Sequence, residues 1–166
     1  MTHGRKPRKP RPVRHDALRL VKLQATKLTE AEVQETIEPA RMCAERLREG
    51  VATEEQHTVL YTSLQIAIAI EHSGIVRGLH EHLDAARQAM DAVRTRALAS
   101  GAWRPTALYH HELAAIRDAV EFHEFQLRQV SAGELTAIAT KLIARTRSTG
   151  GKVARTTTQN LGLVAA

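Results

Sequence analysis

The chain has 166 residues, 43% of them hydrophobic and only 3% aromatic, with a formal net charge of +6. That length suits one ordinary domain with tails, and that apolar share excludes a wholly disordered chain while demanding an aliphatic core. No apolar run approaches a bilayer span, since the longest, Leu64 to Ile70, is far too short.

The charge is unevenly divided. Arg5, Lys6, Arg8, Lys9, Arg11 and Arg14 crowd the first 14 residues without an acid, and Lys141, Arg145, Arg147, Lys152 and Arg155 do the same over 141–166. All 18 acids lie in 15–140 beside 13 bases, so an acidic body carries two basic ends. The basic start lacks the apolar stretch of a signal peptide. Cys43 is the single cysteine and cannot form an internal disulfide, which fits a cytoplasmic setting.

In chain order, Pro7, Pro10 and Pro12 break the first basic run and favour extended backbone, predicting an arm over 1–14. From Ala17 to Leu28, Leu18, Val21, Ala25 and Leu28 suit a short helix, although Leu18-Arg19-Leu20 alternates like a strand. Thr29 with Glu32 forms a capping-box pattern. Val33, Ile37, Ala40, Ala44 and Leu47 then share one helical face, with Pro39 inside as an expected kink and Gly50 as a stop. Thr53 with Gln56 repeats the capping pattern before an almost all-round apolar run, which should be the most buried helix, ending at Gly74. A third long helix is predicted over 77–100 on Leu79, Leu83, Ala86, Met90, Val93 and Ala97. Thr106 is the expected cap of a fourth, whose face is Tyr109, Leu113, Ile116, Val120, His123, Leu127 and Val130. Ser131 and Glu134 open a shorter helix to about Arg145, and the Ser-, Thr- and Gly-rich remainder reads as a flexible tail over 147–166. Short connections between long helices favour antiparallel neighbours. The predicted fold is therefore all-α: an antiparallel bundle of four long helices plus one or two short ones over 15–146, between disordered basic ends.

Catalytic chemistry finds little footing. His80 and His82 are two apart and His110 and His111 adjacent, so neither pair shares a helical face as two metal ligands on one helix do. Only Glu54-x-x-His57 has the spacing of a carboxylate-bridged metal motif, and it is expected in an exposed first turn. His123 is the exception that periodicity places on the core seam, either as a buried base or ligand or as a histidine bonded to a neighbouring helix. Gly150-Gly151-Lys152 lacks the earlier glycine and the hydroxyl residue of a phosphate loop, there is no nucleophile elbow, and Cys43 reads as packing. No enzyme, cofactor, metal or small-molecule substrate is expected.

The basic ends are the strongest functional feature. Lysine and arginine neutralise phosphates and release counterions, and six contacts from the first arm would give a log–log salt slope of about −5 on duplex DNA. The competing reading is a solubilising tail. Residues 132–145 could serve as a recognition helix with Lys141 and Arg145 at its far end, but the turn before it equally suits bundle packing. Pro7-x-x-Pro10 formally matches a proline-rich ligand, and Arg19, Lys22 and Lys27 could lie on an anionic membrane, a weaker reading for so short a segment. Trp103, between Gly101 and Pro105, either seals the bundle's end or anchors a protein partner.

The head Arg5-Lys6-Pro7-Arg8-Lys9-Pro10-Arg11-Pro12, the connection Gly101-Ala102-Trp103-Arg104-Pro105 and the stretch Gln126-Leu127-Arg128-Gln129-Val130-Ser131-Ala132-Gly133-Glu134 together resemble small helical proteins of temperate phages and prophages of Gram-negative bacteria. The resemblance covers most of 1–146. It implies a bacterial cytoplasm and an accessory phage role, and it carries over no activity and no site. The function expected is non-catalytic nucleic-acid binding through the eleven basic residues named above, without membrane attachment. The alternative is a protein-interaction module that binds a host or phage protein or a second copy, with the arms incidental and Trp103 as its candidate contact.

Overall fold

The computed structural model of this chain describes residues 17–150. Six helices follow one another there: α1 (Ala17–Ala25), α2 (Glu30–Arg48), α3 (Glu54–Ser73), α4 (His80–Ala97), α5 (His110–Leu127) and α6 (Ala132–Ser148). The described residues form no strand beyond a single antiparallel bridge between Lys27 and Ser131.

Three helices start where their capping letters stand. Thr29, Thr53 and Ser131 each accept an amide from the residue three along, while Glu32, Gln56 and Glu134 reach back to the cap's own amide. Gly74 ends α3 in the left-handed conformation, with φ of 80°. Pro39 lies within α2 without ending it. The carbonyl it leaves without a helical donor belongs to Glu35, an exposed residue.

Two starts differ from the sequence reading. The third long helix begins at His80 rather than 77, because Gly78 is left-handed and Glu71 Oε1 accepts the Gly78 and Leu79 amides at 2.9 and 3.2 Å. The fourth begins at His110, and Thr106 caps nothing. Its first amide need is met by Glu112, whose Oε2 accepts from the Tyr109 amide at 2.8 Å. Its buried face is consequently Glu112, Ile116, Ala119, His123, Gln126 and Leu127, and Tyr109 stands exposed instead of joining the seam.

Helices α2 to α5 close a ring in which α2 packs on α3, α3 on α4, α4 on α5 and α5 back on α2. α3 also touches α5 and α6, so it is the helix with packing on most sides, as its all-round apolar sequence requires. The ring's core is aliphatic, built on Val33, Ile37, Leu47, Leu83, Met90 and Leu127, with the Cys43 thiol buried among them. α1 and α6 lie outside the ring as a pair, α6 against α3 over a second, smaller core of Ile70, Val76, Val130 and Ile138.

The pair is joined at one end. The Ala132 amide donates to Thr26 O at 3.2 Å, and a Cβ on Gly133 would stand 2.7 Å from Gln24 O. Only glycine admits so close an approach of α1 to the first turn of α6. No described helix is long and apolar enough to cross a membrane.

Candidate nucleic-acid interface

Charge separates the two parts of this fold. Residues 30–130, which hold the ring, carry sixteen acids and ten arginines, whereas 17–29 and 131–150 carry six bases and one acid. That one acid, Glu134, is committed to the α6 cap, where its carboxylate accepts from the Ser131 amide and hydroxyl at 2.8 and 2.9 Å.

In the ring, eight of the ten arginines are ion-paired. Arg96 grips the buried Glu112 with two bonds of 2.6 Å and stacks on Tyr109 with its guanidinium carbon 4.5 Å from the ring centre. Burial works to raise the Glu112 pKa, but the Arg96 bonds and the Tyr109 amide outweigh it and hold the carboxyl below its ordinary value. Between α2 and α5, Glu124 joins Arg41, Gln34 and Arg128, and Arg128 continues to Glu30 at 2.8 Å. The groove beside this network, about 420 Å³, is lined by Arg41, Arg48 and Arg117, each already paired with a carboxylate. It offers no unopposed charge.

On α6 the opposite holds. Lys141, Arg145 and Arg147 are all exposed, and among the described residues no carboxylate comes within ion-pair distance of them. Arg145 and Arg147 stand in the last turn, where cations complement the helix dipole by roughly 0.3–1 kcal/mol each. Lys141 stands a turn earlier, and the dipole does not account for it.

Lys141 and Arg145 line a groove of about 280 Å³ between α3 and α6. Its apolar lining is Ala69, Ile138 and Leu142, and α3 adds the exposed His72 and Ser73. The His72 ring lies 6.1 Å from that of His80 at the start of α4. No acid is among the described residues that line this groove.

Of the eleven basic residues expected to meet nucleic acid, Arg5, Lys6, Arg8, Lys9, Arg11, Arg14, Lys152 and Arg155 lie outside the described residues, as do Pro7 and Pro10. Lys141, Arg145 and Arg147 share α6, and α6 extends past Arg147 to Ser148. Residues 1–16 precede α1 and 151–166 follow α6, so both basic ends are attached to the same pair of helices. Lys22 is exposed on α1, and Lys27 Nζ donates to Gln129 Oε1 at 3.2 Å.

Trp103 is half-buried over the ring's end, its indole N–H donating to Ala52 O at 2.9 Å and its ring tilted against His57 at 5.3 Å. His57 corrects the sequence reading. It is buried, not exposed, with Nε2 2.9 Å from Met90 O and Nδ1 meeting no hydrogen-bond partner among the described residues. Its Glu54 neighbour points elsewhere, to Arg94 at 3.6 Å. His123 is buried as its periodicity demands, against a void of only about 20 Å³. Burial lowers the pKa of both, that of His123 to about 4, and pushes the Cys43 thiol up to about 11. Among the described residues no three His, Cys, Asp or Glu side chains gather as a metal site.

The groove's residues were half legible. Lys141 and Arg145 stand out as unopposed cations in the sequence, but His72 and Ser73 reach the same place only because α6 lies on α3. No family model matches the chain, and no curated protein and no solved structure does.

Proposed function

We propose that this protein is a non-catalytic nucleic-acid-binding protein whose contact side is the α1/α6 pair together with the basic ends attached to it. A bacterial cytoplasm and an accessory role in a temperate phage belong to the same reading, and they rest on the sequence resemblance alone. The carrying observation is the charge division among the described residues: paired and net acidic in the ring, basic and without a carboxylate partner on α6. Phosphate backbones are bound by cations that are free to exchange counterions for phosphate, and Lys141, Arg145 and Arg147 are held as such on one helix. We also place the ring helices antiparallel to their neighbours. Contacts between opposite ends favour that order: Glu54 near the start of α3 meets Arg94 near the end of α4, and Glu30 at the start of α2 meets Arg128 just past α5.

The test is a salt titration of binding to labelled DNA and RNA by the intact chain, a chain lacking 1–14, and the triple variant Lys141→Gln, Arg145→Gln, Arg147→Gln. Both changes should flatten the log–log slope, the triple variant by roughly 2 to 3 for three lost phosphate contacts. No binding by the intact chain at low salt would reject the reading in favour of a protein-interaction module.

A further inference from the structure

Flat clusters of cations suit a duplex, which presents phosphates on its outside and hides its bases in the stack. The α3/α6 groove has a different form. Its exposed cations share a groove of about 280 Å³ with the apolar Ala69, Ile138 and Leu142, which are buried or half-buried. A paired base cannot enter such a cleft, whereas an unpaired one can leave its stack and bury a face there.

Building on the proposed nucleic-acid role, we infer that the α3/α6 groove is a seat for an unpaired nucleobase, so that the preferred ligand is single-stranded nucleic acid. Lys141 and Arg145, one turn apart on α6, flank the cleft where two neighbouring phosphates of the strand would pass. The base lies over Leu142 and Ile138. The exposed His72 ring, with His80 at 6.1 Å beside it, supplies the aromatic face that single-strand binders use for sequence-tolerant stacking. No carboxylate among the described lining residues opposes the strand, the Ser73 hydroxyl already donates to Ile70 O at 2.6 Å, and Ala69, Ile138 and Leu142 offer no base-specific hydrogen bond. The seat therefore discriminates unpaired from paired strands and hardly distinguishes one base from another.

The experiment uses the full chain and fluorescence anisotropy with labelled oligo-dT, oligo-U and a DNA duplex of the same strand length, at one fixed salt concentration. Both single strands should bind at least tenfold more tightly than the duplex. His72→Ala, a change of an exposed side chain, should weaken single-strand binding about five- to tenfold while leaving duplex binding and the melting temperature unchanged. A second variant, Leu142→Ser, should act in the same direction, with circular dichroism confirming its helix content. Equal or tighter duplex binding overturns the seat while leaving the nucleic-acid role intact, and so does single-strand binding indifferent to His72→Ala. Binding of neither form at low salt rejects both.

Discussion

The ring α2–α5 and the pair α1/α6 are built from the same helical material and differ in what happens to charge. In the ring a carboxylate answers nearly every arginine, and Glu112, 2% exposed, is satisfied by Arg96 and a backbone amide. On α6 three cations face water with no answering acid among the described residues. An exposed ion pair contributes about 0–1 kcal/mol and an unpaired exposed cation costs little, so folding tolerates either arrangement. The difference teaches that only the buried Glu112–Arg96 pair is a demand of the fold, and the cations of α6 are what the proposed phosphate contact would use.

Breaking the ring should have the largest effect. Arg96→Ala leaves a buried carboxylate without its partner, and a loss of about 3 kcal/mol is expected in urea unfolding. Replacing both partners by apolar residues should restore much of it. Acid attacks the ring next. His57 and His123 are less basic folded than unfolded, so below about pH 6.5 the unfolded chain binds more protons and stability falls, continuing toward pH 4. Between pH 7 and pH 5 His123 alone accounts for about 2 kcal/mol. His123→Leu should flatten that part of the profile, checked by denaturation at each pH.

Gly133→Ala is directed at the joint instead. The added Cβ would press on the Gln24 carbonyl, so α1 should lift from α6 at a cost of about 1 kcal/mol, read as faster amide exchange in 17–29 with exchange in the ring unchanged. The triple Gln variant on α6 should shift the melting temperature least while weakening nucleic-acid binding most. A large loss of stability in that variant would mean that the α6 cations serve the fold after all.

Elements that announce themselves locally were legible. α2, α3 and α6 carry a Thr or Ser three residues before a Glu or Gln, and the structure starts them there. The start of α5 was not legible, because Tyr109 is no capping residue and Glu112 is fixed by an arginine 16 residues earlier. His57 was misread for a similar reason: Trp103 arrives from a distant connection to cover it. The candidate site followed the same rule. Its cations are a sequence pattern, whereas the cleft that gives them shape needs α3 and α6 side by side.

The most direct test of the division of labour is hydrogen–deuterium exchange of the full chain with and without saturating single-stranded nucleic acid at low salt. Protection should concentrate in 17–29, 131–150 and the His72 end of α3, with the α2/α5 face unchanged. Protection centred on α2 and α5, with α6 exchanging as in the free protein, would contradict the assignment of binding to the α1/α6 side.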